Sequence, residues 1–330
     1  MSKSIGLFLA AMLFSILIAG QESAQQDTVS VKRIQSLVAQ GYYSKARIAL
    51  LKMPQEFKSG AQAAELTGDI FGGLKQWDSA MMYYERFKKM DPKNAAGHFK
   101  YGGALGMKAL EKNKLSALMY LDDIEAHFQK AVEVDPTYVA AHWALIEYYL
   151  QVPGFMGGGV DRAMEQSDKL FGVSPVDGWM ARARIAEKDE DLQKAEQYYD
   201  KALREGQSLW TYRGIISFYE RQNRWDSAFD KLNKAMTQFQ DLSLNYQWAK
   251  MSVLSGKHVE QGLTYIRQCI EPQAKVEGIP EQWIRLRYAQ LLRKDGQNKA
   301  ALAQVNRALA LEADFAQALQ EQKDLKKLLN

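Results

Sequence analysis

Apolar residues recur along this chain at i, i+4 and i+7, the spacing that lines one face of an α-helix. Ala80, Tyr84 and Phe87 form one such stripe, preceded by Gly68 and Phe71 and followed by Pro92. The same register returns in Ala46/Leu50/Met53, Ile124/Phe128/Ala131, Ala163/Ser167/Leu170 and Ala195/Tyr199/Ala202. It returns again in Ala228/Leu232/Ala235, Gly262/Ile266/Cys269 and Ala301/Val305/Ala308. The first residues of successive triplets lie 34, 44, 39, 32, 33, 34 and 39 residues apart. A short phrase even repeats, Gln76-Trp77-Asp78-Ser79-Ala80 returning as Arg224-Trp225-Asp226-Ser227-Ala228. A recurring helical stripe at such a period predicts stacked helical hairpins.

With these residues the chain resembles the tetratricopeptide-repeat family. The matching features are the small anchor (Ala80, Ala195, Ala228), the aromatic after it (Tyr84, Phe128, Tyr199) and the small residue three further on (Ala131, Ala202, Ala235). Met90-Asp91-Pro92 and Val134-Asp135-Pro136 match the exit from the second helix of a repeat. The resemblance spans residues 27–313 and implies an all-α fold, a right-handed α-solenoid of about eight helix-turn-helix repeats. Each repeat is then two antiparallel helices that approach most closely at the anchor. A larger side chain there would overpack the contact at a cost of about 1–3 kcal/mol. Proline cannot continue the second helix, so the chain turns into the next repeat. A lone hairpin cannot bury its apolar face, so stability comes from stacking neighbours. Residues 314–330, rich in Gln, Lys and acids, read as the polar capping helix of the stack.

The first twenty residues have a different pattern. Lys3 precedes an apolar run from Ile5 to Ala19, and Ile18-Ala19-Gly20 supplies small residues for cleavage near Gly20-Gln21. This is the layout of a secretory leader. The run falls short of the roughly 20 apolar residues that span a bilayer, although an uncleaved anchor is the alternative. Gln21 stands where a lipoprotein leader needs cysteine. The expectation is a protein that is soluble after cleavage, periplasmic or otherwise outside the cytoplasm. It would touch the membrane only transiently, through the leader.

Two insertions break the period. One falls between Gly106 and Leu121, without a helix breaker, and predicts longer helices. The other is Pro153-Gly154-Phe155-Met156-Gly157-Gly158-Gly159. Gly154 and Gly159 have the spacing of a phosphate-binding loop, but Val160-Asp161 follows where Lys and Ser/Thr are needed. The loop reads as a wide turn whose Phe155-Met156 tip is a possible contact point.

Composition removes several classes of function. The net charge of +4, or +3 without Lys3, lacks the basic stripe of a nucleic-acid binder. The single cysteine, Cys269, excludes an internal disulfide and reads as a small core residue. His98, His127, His142 and His258 lack the spacing of a metal site, and no nucleophile elbow or paired-carboxylate motif is present. The expectation is therefore no cofactor, no metal and no catalysis.

The resemblance places ligands on the first helix of each repeat, at its second, fifth, ninth and twelfth positions. Carried onto this chain, those positions include Glu65, Asp69, Phe99, Trp143, Glu147, Leu150, Met180, Arg184, Glu187, Trp210, Arg213, Glu220, Leu244, Gln247, Met251, Trp283 and Leu286. The Lys/Asn set with which some relatives clamp a C-terminal carboxylate is absent. Recurring aromatics suggest a groove for an extended or helical peptide, with Phe99, Trp143, Trp210 and Trp283 as anchors, Gln247 beside them, and Arg184 and Arg213 meeting acidic groups. The same rings would serve equally as packing between helices. The expected function is an exported scaffold or adaptor for a protein or peptide partner. A non-catalytic part of an envelope transport or solute- or lipid-binding system is the alternative, and a hydrolase built across repeats is the last.

Overall fold

The fold comes from a computed structural model, which describes residues 30–274 and 276–329. The leader expected over residues 1–20 lies outside the described residues, as does the start of the repeat region at residue 27. Every regular element among the described residues is helical, and none is a strand. The chain forms two compact units, one ending at Leu145 and one beginning at Ile146. The first contains α1 (30–39), α2 (Tyr43–Leu51), α3 (Gln55–Lys58), α4 (Ala61–Gly73), α5 (Trp77–Met90), α6 (Ala95–Leu110), α7 (Lys114–Leu118), α8 (Leu121–Val134) and the start of α9 (Val139–Gln151). The second takes the rest of α9, a 3-10 turn (Gly154–Met156), α10 (Val160–Val173), α11 (Pro175–Lys188), α12 (Leu192–Gly206), α13 (Leu209–Arg221), α14 (Trp225–Gln238), α15 (Leu242–Ser255), α16 (Val259–Gln268), α17 (Glu281–Lys294), α18 (Asn298–Leu311) and α19 (Ala316–Leu329).

Helices pack as repeated pairs. In the first unit α4 lies on α5 and α6 on α8; in the second α11 lies on α12, α13 on α14, α15 on α16 and α17 on α18. Each pair also leans on the next, as α5 does on α6, α12 on α13, α14 on α15 and α16 on α17. Each unit is thus an all-α stack of paired helices.

The anchors explain the pairing. Ala46, Ala80, Ala163, Ala195, Ala228 and Ala301 are all 0% exposed. The residues four and seven positions on are buried too, including Tyr84, Phe87, Tyr199, Ala202, Leu232 and Ala235. Gly68 shows how close the two helices come: a Cβ there would sit 2.4 Å from a ring carbon of Tyr84. Gly102 on α6 likewise leaves room for the ring of Phe128 on α8. The ring of the second helix thus occupies the volume that the first helix vacates.

Local signals set the ends of these helices. Helices α5 and α8 stop at Met90 and Val134, just before the Asp-Pro pairs. Ser174 caps α11 with Pro175 in its first turn, and Ser208 with Thr211 forms a reciprocal capping box on α13. At the far end α19 buries Ala318, Glu321 and Leu325 and packs on α18 and α17.

One expectation about the insertion is corrected. Residues 106–121 do more than lengthen two helices, because α6 ends at Leu110 and a separate short helix, α7, precedes α8. The cause is Asn113, whose side-chain oxygen accepts the Ser116 N–H at 2.9 Å. Such a cap starts a new helix and interrupts the old one.

Ala228→Leu places a branched side chain in a fully buried contact. It is expected to lower the unfolding free energy by about 1–3 kcal/mol, measured by urea denaturation.

Candidate functional site

The repeat period brings the first helices of successive pairs side by side, and their polar residues answer one another. In the first unit Lys100 on α6 places Nζ 2.7 Å from Glu65 Oε1 and 2.7 Å from Asp69 Oδ2, both on α4. Tyr84 on α5 donates its hydroxyl to the same Asp69 at 2.9 Å. In the second unit Arg184 on α11 meets Glu147 on α9 at 3.0 Å. Arg221 on α13 donates Nε and Nη2 to Glu187 on α11 at 2.5 and 2.8 Å, and Tyr199 adds its hydroxyl to Glu187 at 3.2 Å. Glu220 on α13 then accepts from Gln247 and Lys250 on α15, at 2.6 and 3.1 Å. The partners lie 31, 37, 34 and 30 residues apart, close to the length of one repeat.

The electrostatics follow from burial and proximity. Burial works against the charge on Lys100, but Asp69 and Glu65 outweigh it and raise its pKa. The hydrogen bonds to Glu187 hold Arg221 more firmly in its charged form. Burial pushes the Tyr84 and Tyr199 hydroxyls up, reinforced by Asp69 and Glu187, so both remain donors. Acids and bases on this face therefore pair off from repeat to repeat.

The structure separates the sequence-predicted site residues into different roles. Trp210 is 43% exposed near the start of α13, and Arg213 is exposed one turn further along the same helix. Trp283 packs edge-on against Phe315, 4.7 Å between centroids, with the Arg287 guanidinium 5.8 Å from its ring. Phe99 is wedged between Phe128 and Tyr138, with centroids 6.1 and 5.5 Å away. These two rings are packing elements, the second of the two roles that the sequence left open for them. Trp143 is half-buried on α9 in the first unit.

Two further corrections concern the groove lining. Leu150, Met180, Leu244, Met251 and Leu286 are buried, because those helix positions face the neighbouring helix rather than solvent. Arg184 and Arg213 do not await an outside acid: Arg184 is paired with Glu147, and Arg213 lies 3.3 Å from Asp241 and 2.5 Å from Ser243 Oγ. Gln247 is likewise engaged with Glu220. A partner that uses either arginine must displace an internal carboxylate. The bases Lys100, Arg221 and Lys250 were missed, although opposite charges one repeat apart in the sequence were a usable signal.

The Pro153–Gly159 turn is built to hold its tip outward. Phe155 is 90% exposed, whereas Met156 is half-buried. Gly157 and Gly159 take left-handed φ values of 89° and 110°. A Cβ on Gly158 would lie 1.8 Å from the Val152 carbonyl oxygen. Gly159 N–H reaches back to the Tyr149 carbonyl at 2.8 Å, and the Arg162 guanidinium lies 4.3 Å from the Tyr149 ring while donating to the Gly157 carbonyl. The segment before the turn is helix α9, so the strand of a phosphate-binding loop is missing there.

His98 and His127 meet, Nδ1 to Nδ1 at 3.4 Å, with the Tyr101 ring 4.5 Å from His127. His142 is buried and its Nε2 lies 2.9 Å from the Pro136 carbonyl. Burial, then Lys88 and His98, depress His127 to about 4. Burial pushes the Cys269 thiol up to about 12, which keeps it protonated. Among the described residues no group of three or more His, Cys, Asp or Glu could hold a metal ion.

The tetratricopeptide repeat family model matches residues 176–205, the α11–α12 pair. No curated protein matches the chain. Among solved structures, a thermophilic tetratricopeptide protein from Thermus thermophilus is similar over 59% of this chain and 97% of its own, at 16% identity and a TM-score of 0.50. Yeast Tom70 is similar over 92% of this chain and 82% of its own, at 10% identity and a TM-score of 0.51. At these identities the likeness shows the fold. The matched repeat and the fold together support the tetratricopeptide-repeat family.

Glu187→Gln removes the negative charge that Arg221 and Tyr199 share. Unfolding free energy should drop by about 1–3 kcal/mol in urea, and a double-mutant cycle with Arg221→Met should show strong coupling. His127 has a folded pKa near 4, below its ordinary 6.5, so the unfolded chain binds the extra proton first. Its contribution to stability is present above pH 6.5 and is lost as pH falls toward 4. Thermal unfolding across that window should show a shallower decline for His127→Gln than for the wild-type chain.

Proposed function

We propose that this chain is an exported, non-catalytic scaffold that binds a protein or peptide partner on the helix face carrying Trp210 and Arg213. Tetratricopeptide-type repeats generally mediate protein–protein contacts, which supplies the class of function. The leader-like layout of residues 1–20 supports export.

The observation that carries the proposal is Trp210, a large aromatic that keeps 43% of its surface exposed on a helix whose other rings, Tyr212, Phe218 and Tyr219, are buried. Aromatic and arginine side chains dominate the energy of protein interfaces. Arg213 lies on the same helix and is half-exposed while paired with Asp241 across α13 and α15. An acidic residue of a partner would compete with Asp241 for it, giving salt-sensitive capture. The paired charges of Glu147–Arg184, Glu187–Arg221 and Glu220–Lys250 give this face little net field to draw in a strongly charged ligand. That balance favours a peptide with mixed apolar and acidic side chains.

Affinity capture from an envelope fraction with wild-type and Trp210→Ala/Arg213→Ala chains tests the proposal. The variant should keep its helical circular dichroism and lose about thirtyfold in affinity for the captured partner. Undiminished capture by the folded variant would remove this face from the function. Unfolding of the variant would instead identify Trp210 as part of the core.

A further inference from the structure

A groove of about 360 Å³ runs between α1 and α2. Its floor is apolar, with Ile34 and Met53 buried and Leu37 half-buried, while Arg33, Lys45 and Lys52 stand exposed along it. Arg33 belongs to α1, and Lys45 and Lys52 follow α2 seven residues apart, about 10 Å along a helix axis. The charge here is one-sided. Residues 30–55 include five bases, Lys32, Arg33, Lys45, Arg47 and Lys52, and no acid. None of the five makes an ion pair among the described residues. Glu56 and Lys58 on α3 offset each other. On α4, against which α2 packs, Glu65 and Asp69 are already held by Lys100. Counting Glu22 and Asp27, which precede α1 in the sequence, five bases still face two acids. The groove also lies where the stack lacks a neighbour. Elsewhere each helix pair leans on the next, and α19 packs on α17 and α18, whereas on α2 Ile48 and Leu51 are left 57% and 66% exposed.

We propose that this groove seats an acidic amphipathic α-helix of a partner protein, its apolar face on Leu37 and Ile48 and its carboxylates against Arg33, Lys45 and Lys52. The shape argues for a helix. A groove between two helices of a stack is the place that a further helix fills, ridge into groove, and amphipathic helices lay their apolar face into such grooves. The charge argues for acid, because opposite potentials across an interface steer association and like charges suppress wrong partners. Concavity separates this surface from a membrane contact: the apolar floor lies below exposed bases, so a flat bilayer would meet the bases without reaching Ile34 or Met53. A second copy of the chain fits poorly. Two such grooves would repel each other, and α19 carries Lys323, Lys326 and Lys327 against Asp324 and a buried Glu321. The groove belongs to the first unit, whereas Trp210 and Arg213 belong to the second, so it is a further site and does not rest on theirs.

The probe is a fluorescein-labelled synthetic helix of about 18 residues, above the length at which isolated helices are marginal, with leucines on one face and glutamates on both flanks. One control peptide scrambles its sequence, and another replaces its glutamates by lysines. Binding to the full chain is read by fluorescence anisotropy. The glutamate helix should bind, and neither control should. Lys45→Glu/Lys52→Glu should weaken binding about tenfold or more, with the helical circular dichroism unchanged, and Ile48→Asp should do the same. Lys299→Glu, at an exposed base on α18, should bind as the wild type does. So should Trp210→Ala/Arg213→Ala, which separates this groove from the face proposed above. The proposal is overturned if the glutamate helix does not bind, if the scrambled peptide binds equally well, or if Lys45→Glu/Lys52→Glu leaves binding unchanged. Loss of binding in Trp210→Ala/Arg213→Ala would also overturn it, by moving the helix to the other face. Displacement of the helix by vesicles of phosphatidylcholine and phosphatidylglycerol would assign the groove to lipid instead. A dimer seen by sedimentation and broken by Lys45→Glu/Lys52→Glu would assign it to a second copy, and either result sinks the proposal.

Discussion

The closest approach of two antiparallel helices, at a residue too small to keep them apart, is the constraint from which the rest of this structure follows. At Ala80, Ala195 and Ala228 no solvent reaches the contact. The ring one turn on fills what remains, as Tyr84 fills the space over Gly68. Because each hairpin is narrow, its other face must be covered by the next hairpin, and stability becomes a property of neighbours. The repeat length then fixes which polar residues can meet. Glu187 and Arg221 pair because they are 34 residues apart and therefore on adjacent first helices.

This pairing shapes what a partner would encounter. Surface ion pairs of this kind contribute little each, on the order of 0–1 kcal/mol when exposed. Glu187 is different, with its side chain only 7% exposed and served by both Arg221 and Tyr199. Unpaired, such a carboxylate would be costly, so the three residues fix the register of α11, α12 and α13 together. Charge on this face serves internal alignment.

Two of the places where the period lengthens carry exposed apolar side chains. In the first unit the Asn113 cap diverts the chain into α7 and leaves Leu110 and Met119 in solvent. In the second, glycines and the Arg162–Tyr149 contact hold Phe155 outward on a closed turn. Neither insertion disturbs the anchors on either side of it, since Phe128, Ala131 and Ala163 stay buried. The stacked pairs tolerate additions at their turns because the packing contacts lie along the helix faces.

The all-helical stack, the anchor positions and the helix exits at the Asp-Pro pairs were legible in the sequence, because each depends on residue size or backbone geometry within one hairpin. The candidate site was legible only in part. The family resemblance gave Trp210, Arg213, Phe99, Trp283 and Leu244 one standing as groove positions and left open which rings are exposed. Their environments differ once the chain is folded: Phe315 packs on Trp283, Tyr138 on Phe99, Asp241 pairs with Arg213, Leu244 is buried, and Trp210 keeps 43% of its surface exposed. Local patterns determine which face of a helix is apolar. Which apolar side chain finds a neighbour, and which charge finds its opposite, is decided only when residues some thirty positions apart are brought within a few ångströms.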